Sequence, residues 1–531
     1  MNNHDNLSKL NRLSLLTSWM RIHKLDLAIV VLLLAVSVTV SGVNMADYPQ
    51  RFEDEGTYIS QAWAFKEKGE LAHYTYWYDH PPAGWIQIAG HQLFTNALER
   101  YGSAVAGGRE FMLLLHLATI VLLFALARRL SIGSVAAGLG VLTYGLSPLA
   151  VEFSRYVMLD NVALPWLLAA FLLALSPSRH LVTAIGAALC MAIAILSKET
   201  FLILLPVLMY ALWGNGDQRN RRYQMAAFGV VFVMISGLYI LYAALKKELF
   251  PGDGHVSLLG TIYWQLFGRE GSGSILATDS GSRGLLNYWL NLDPFLLLAG
   301  VISLPFTFIY RKLHVVALAL LISLALMLRS GYLPFPYVIV LLPFSTLVFA
   351  GVLHNVVIVP LKARVSLIRR FISGAVAVLL TVVAIGLVAP DWQAKLYALN
   401  TVDQDESSRE TVDWIAENVS RDNLLIVESA LWTDLVQQGF DQPEPVWLYK
   451  TETDPEVAKE IGSWQNIDYV ILNGSTVGDA GFSNAFPTVS QAIDNAELVG
   501  EFGQDNQKLL IYKVNSPAER NVISTQNKGG E

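Results

Sequence analysis

The sequence predicts a polytopic α-helical membrane protein of about eleven spans with a small extracytoplasmic α/β domain at its carboxyl end. Three observations lead there. Of 531 residues, 53% are hydrophobic and only 15% charged, against about 25% charge in a soluble domain. Apolar runs recur from Leu25 to Val388, separated by short loops, several of them basic. Beyond Pro390, strand-like runs alternate with helical ones.

In order, Met1 to Lys24 is polar and carries Lys9, Arg12, Arg21 and Lys24, which predicts a cytoplasmic leader and no cleavable signal peptide. Leu25 to Val43 is the first span. The loop 44–108 is then extracytoplasmic, with one interfacial helix over ISQAWAFKEKGEL, a turn at Asp79 to Gly84 stiffened by Pro81 and Pro82, and a second interfacial helix from Trp85 to Leu98. Further spans are expected at Phe111–Ala127, Ile132–Ala150, Val162–Leu175, Leu181–Leu196, Phe201–Trp213 and Met225–Leu245. After the long loop Lys246 to Pro294 come Phe295–Tyr310, Val315–Met327, Tyr337–Leu353 and Phe371–Val388. Arg128 and Arg129, Arg219 to Arg222, Arg311 and Lys312, and Lys362 to Arg370 mark the cytoplasmic loops. The domains are therefore 1–390, membrane-embedded, and 391–531, with strands at LLIVES, DYVILN and KLLIYKV and a polar tail. A multi-pass plasma-membrane protein with its amino end inside follows, with the bilayer as a partner and no nucleic acid. Cys190, the single cysteine, reads as a small buried apolar residue.

The first loop is crowded with chemistry that a connector does not need: Asp54 beside Glu55, and Asp79 beside His80. If the topology holds, Arg155 with Asp160 and Lys198 with Glu199 reach the same face. Ionisable groups at membrane depth are costly and mark function by default; each also has a plain reading as helix cap, turn residue, snorkelling lysine or structural ion pair. The outer face offers no nucleotide sugars, so a transferase there needs a donor delivered through the bilayer, and a polyprenyl-phosphate sugar fits. Its leaving group is already an anionic phosphate ester, so one carboxylate acting as general base is enough. Glycosidases, by contrast, need a second, acidic carboxyl. Lys198 is the first candidate for the donor phosphate, followed by Arg155, Arg109 and Arg329.

At these residues the chain resembles the type C fold membrane glycosyltransferases of the protein O-mannosyltransferase and aminoarabinose transferase group. The matching features are DEGTY after the first span, DHPPAGW, GREFMLLL, SRYVMLD and LSKET, in that order. The resemblance implies a polyprenyl- or dolichyl-phosphate sugar donor and a glycan, lipid or protein acceptor. It implies Asp54 as catalytic base, with Glu55, the second catalytic candidate, positioning it or the acceptor. Tyr58, Asp79, His80 and Asp160 are the substrate-binding candidates. Some members hold a divalent metal ion between loop acids and a histidine, which implies Asp54 and His80 here. The Lys246–Pro294 loop is too short for a β-trefoil insertion, and His80 stands where the aminoarabinose enzymes have lysine, so sugar and acceptor stay open. Two rivals remain: a transporter or flippase of lipid-linked glycans, which would carry paired broken helices in two similar halves, and a non-catalytic scaffold.

Overall fold

The computed structural model describes residues 23–515 apart from 217, 253, 363–365 and 505–507. The expected leader, except His23 and Lys24, the polar tail beyond 515 and Arg364 lie outside the described residues.

Among the described residues, six helices are long and apolar enough to cross a membrane, or up to eight if each of two bent pairs is one span. That is fewer than the eleven expected from hydropathy; Leu159–Ala174 and Glu199–Asn215 are apolar but shorter. The bent pairs have one cause. Ser147 and Asp293 each precede a proline, and the residue before proline is driven out of the α region. Each then caps the following helix, Ser147 accepting from Ala150 and Asp293 from Phe295. The chain turns by 62° at Ser147 and by 104° at Asp293. The two breaks are joined: Ser147 Oγ donates to Asp293 at 2.5 Å, and Trp392 Nε1 donates to its other oxygen at 3.2 Å.

In the first loop a helix runs from Glu53 to Glu67, six residues earlier than its apolar spacing suggests. The cause is Glu55, whose carboxylate accepts the Phe52 N–H at 2.9 Å, the reach-back of a capping box. Asp54 and Glu55 therefore sit in the first helical turn, about 100° apart around the axis, and face different surroundings. The next helix, Ala83–Thr95, opens just after the proline pair. Arg109 lies inside the long helix Ala104–Arg129, which begins well before the expected Phe111.

Residues 425–514 form a five-stranded sheet: β1 (Leu425–Val427), β2 (Val446–Trp447), β3 (Tyr469–Asn473), β4 (Ala496–Phe502) and β5 (Leu509–Val514). Its order is β2-β1-β3-β5-β4, with β1 parallel to both neighbours and β5 antiparallel to both of its own. The sheet region docks on the first loop through the helix Ser429–Gln437. Arg51 bridges Asp405 at 2.5 Å and Asp434 at 2.6 Å, and Ser429 Oγ donates to Glu53 at 2.8 Å. Gly56 makes the approach possible, since a Cβ there would stand 2.2 Å from the Ser429 carbonyl oxygen.

Candidate active site

The helix Glu53–Glu67 splits the adjacent acids. Glu55 is fully buried and satisfied on both oxygens. It takes two bonds from Arg109, at 3.0 and 2.9 Å, one from the Val157 N–H at 2.9 Å, and the Phe52 N–H. Four hydrogen bonds thus fall on its two oxygens, and Glu55 holds Arg109 and the Phe52 and Val157 backbone together. Asp54 is half-buried and makes no hydrogen bond or ion pair among the described residues. Burial raises its pKa above the ordinary carboxylate range, opposed by the nearby charges of Lys198 and His80.

Those two belong to a linear relay. His80 Nδ1 lies 3.0 Å from Glu199, and its Nε2 lies 3.2 Å from Lys198 Nζ. Lys198 Nζ is 3.8 Å from Asp160. Lys198 caps the helix His180–Ser197 in an extended conformation, which turns its nearly buried side chain off the helix toward the loop. Burial and Lys198 lower the His80 pKa, but Glu199 and Asp79 outweigh them and hold it above the usual value. Burial would raise Glu199, but the cationic neighbours pull it down to about 2. Burial lowers Lys198, and Asp160, Glu199 and Asp54 more than restore it, so the ammonium stays charged. Tyr58, one turn beyond Asp54, places its ring 6.0 Å from that of His80. Asp79 is half-buried and, like Asp54, without a hydrogen-bond partner among the described residues.

Three expected phosphate ligands make their described contacts outside this cluster. Arg109 is consumed by Glu55 and by the carbonyls of Met45 and Ala46. Arg155 donates to the carbonyls of Val40, Ser41, Val43, Tyr48 and Leu399 and to the Asn400 side chain, so it ties the end of the first helix to the helix Ala389–Thr401. It does not pair with Asp160. Arg329 is exposed in the loop before Tyr337, and none of its described contacts reaches the cluster. A further cation, which the motifs missed, is Arg269. Arg269 leaves the long loop, stacks 3.4 Å over the Tyr332 ring and acts on Asp54 through its charge. Its position 215 residues beyond Asp54 is a consequence of folding, and the only hint in the sequence is a lone arginine among aromatic residues.

The arrangement does not fit the ion expected between Asp54 and His80. Both His80 nitrogens are engaged, and no group of three or more His, Cys, Asp or Glu side chains able to hold a metal occurs among the described residues.

Residues 79–242 match the model of a family described as dolichyl-phosphate-mannose-protein mannosyltransferase. No curated protein sequence matches. Among solved structures, ArnT from Cupriavidus metallidurans bound to undecaprenyl phosphate is similar at a TM-score of 0.61 and 17% identity, over 92% of this chain and 98% of that one. The Archaeoglobus fulgidus oligosaccharyltransferase in its apo form gives 0.55 and 13%, over 92% and 75%. The same archaeal enzyme in complex with an inhibitory peptide and a dolichol-phosphate gives 0.55 and 13%. Family model and fold together support the group that the motifs indicated, that of the protein O-mannosyltransferases and ArnT.

Proposed function

We propose that the protein is a membrane glycosyltransferase that moves a sugar from a polyprenyl-phosphate donor to an acceptor hydroxyl or amine at the outer face, with Asp54 as general base. The observation that carries this reading is the separation of the acids. Of the adjacent pair, Asp54 is the one without a hydrogen-bond partner among the described residues, half-buried and within electrostatic reach of the cations Lys198 and Arg269. The donor phosphate sits between those cations, which stabilise the charge that grows on it as the sugar departs. The acceptor oxygen or nitrogen bonds to the anomeric carbon as the carbon–oxygen bond to phosphate breaks. Asp54 takes the proton, and attack from the face opposite the phosphate inverts the configuration. His80, held by Glu199, keeps the Lys198 ammonium aimed at the donor.

The chemistry of the donor is supported by the family match over 79–242 and by structural neighbours solved with undecaprenyl phosphate and dolichol-phosphate. Sidedness is supported by charge. Arg128, Arg129, Arg311, Lys312 and Lys362 belong to loops at the end of the bundle where the first helix starts, as contacts of Arg128 with Asp26 and of Lys312 with Ser131 indicate. The candidate site lies past the other end of that helix. The test is transfer from a panel of radiolabelled polyprenyl-phosphate sugars in proteoliposomes. Asp54→Asn is expected to lower transfer by about 10²-fold or more at unchanged thermal stability; undiminished transfer removes Asp54 as the base.

A further inference from the structure

The arm of the first loop that carries Asp79 and His80 has no backbone scaffold of its own. Among the described residues, 71–81 makes no backbone–backbone hydrogen bond, so its polar groups must find partners elsewhere. Side chains from distant elements supply them. Thr261 Oγ1 donates to the Trp77 carbonyl at 2.7 Å. Tyr78 is held in the left-handed conformation at φ 59°, uncommon for a residue with a Cβ, and its hydroxyl donates to Glu248 at 2.5 Å. Across this kink the Tyr76 hydroxyl donates to the His80 carbonyl at 2.6 Å. Tyr239 stands in the last two turns of the helix Arg221–Leu245. Its hydroxyl is 2.9 Å from that of Tyr76 and 3.4 Å from the same His80 carbonyl. A phenol has one proton to donate. Tyr76 spends its proton on His80, so Tyr239 donates to Tyr76, and the chain of bonds runs from Tyr239 through Tyr76 to His80.

That brace reaches the cations. The imidazole of His80 stands 3.0 Å from Glu199 and 3.2 Å from Lys198 Nζ, and a backbone shift of about 1 Å breaks contacts of this length. Pro81 and Pro82 follow, and neither has an N–H with which to tie the turn down. We infer that Tyr76 and Tyr239 are positioning residues. Through the His80 carbonyl they fix the imidazole that aims the Lys198 ammonium at the donor phosphate. The outer end of the helix Arg221–Leu245, most of which faces away from the bundle, is then built into the site. This rests on the transferase reading above, in which Lys198 binds that phosphate. The two phenols also back each other up. Without the Tyr76 hydroxyl, that of Tyr239 is already within reach of the carbonyl; without the Tyr239 hydroxyl, Tyr76 keeps its own bond. Their losses are therefore non-additive, mild singly and severe together.

The test uses the full-length protein in proteoliposomes and two ligands, undecaprenyl phosphate and undecaprenol, which lacks the phosphate. Tyr76→Phe and Tyr239→Phe keep the rings and remove only the hydroxyls. Each alone is expected to weaken undecaprenyl phosphate binding about threefold, and the two together about tenfold or more. Undecaprenol binding should stay within about twofold of wild type throughout. On a Lys198→Met background the double variant is expected to add nothing to the loss already present, because the pair acts only through that ammonium. Damage to the general packing of the loop would weaken both ligands and would add to Lys198→Met. Unchanged phosphate binding in the double variant overturns the inference, as does an equal loss of both ligands or a further loss on the Lys198→Met background. If the double variant does not fold, Tyr76→Phe decides the matter. Its loss must appear with Lys198 present and vanish with Lys198→Met; the same loss on both backgrounds, or none on either, overturns the inference. Failure of the underlying reading looks different: wild type then binds undecaprenyl phosphate no better than undecaprenol, and Lys198→Met changes neither.

Discussion

At the scale of single residues, two adjacent carboxylates have opposite fates. Glu55 and Arg109 form a fully buried, bidentate pair, and removing one partner of such a pair leaves an uncompensated charge, at a cost of roughly 3–5 kcal/mol. Glu55→Ala is therefore expected to lower the melting temperature of the purified protein steeply, while Asp54→Asn leaves it unchanged; equal melting temperatures would contradict the division of labour. A pH profile probes Asp54 more directly. Burial lifts its pKa and Lys198 draws it down, and a general base works only when deprotonated. The acid limb of kcat at saturating donor should therefore lie above the pH of about 4 typical of a free carboxylate. Lys198→Met removes the opposing charge, so the limb should move to higher pH. A limb that stays put would show that Lys198 and Asp54 are not neighbours. The sequence singled out the Asp-Glu pair and placed both members at the site, because nothing local says that Arg109, the Val157 N–H and the Phe52 N–H occupy the Glu55 oxygens.

At the scale of elements, the helix Glu53–Glu67 does two things with one surface: it presents Asp54 and it carries the sheet region. Gly56 is where the two tasks meet. A methyl group there would collide with the Ser429 backbone at 2.2 Å, and backbone cannot swing aside as a side chain can. Gly56→Ala is expected to loosen the docking of residues 425–514 and make the connection near Asp403 to Ser407 more sensitive to limited proteolysis, with transfer reduced. An unaltered digestion pattern would mean that the interface adapts. The expected position of this helix, from Ile59, followed the apolar spacing and overlooked the capping role of Glu55. The break at Ser147-Pro148 falls inside the expected span Ile132–Ala150, where hydropathy outweighed the proline signal, and the hydrogen bond that joins it to Asp293 has no sign in either local sequence.

At the scale of the whole molecule, the arrangement predicts sidedness. With Cys190 buried, a cysteine introduced at the exposed Ser483 should react with a membrane-impermeant maleimide in intact cells, and one at Lys312 only after lysis. The reverse pattern would put the candidate site in the cytoplasm, out of reach of the proposed acceptors. The sequence by itself determined that the chain is built of apolar helices, that Asp54, His80 and Lys198 lie in its recognisable motifs, and that strands follow Pro390. These are local matters, set by hydropathy, by charge and by motifs a few residues long. Only the tertiary structure decided which charges are free. Arg109 and Arg155 are spent on Glu55 and on backbone carbonyls, while Arg269 arrives from 215 residues beyond Asp54. The physical reason is that a buried charge must find a partner, and which partner it finds depends on how distant segments pack, a property that no window of sequence contains.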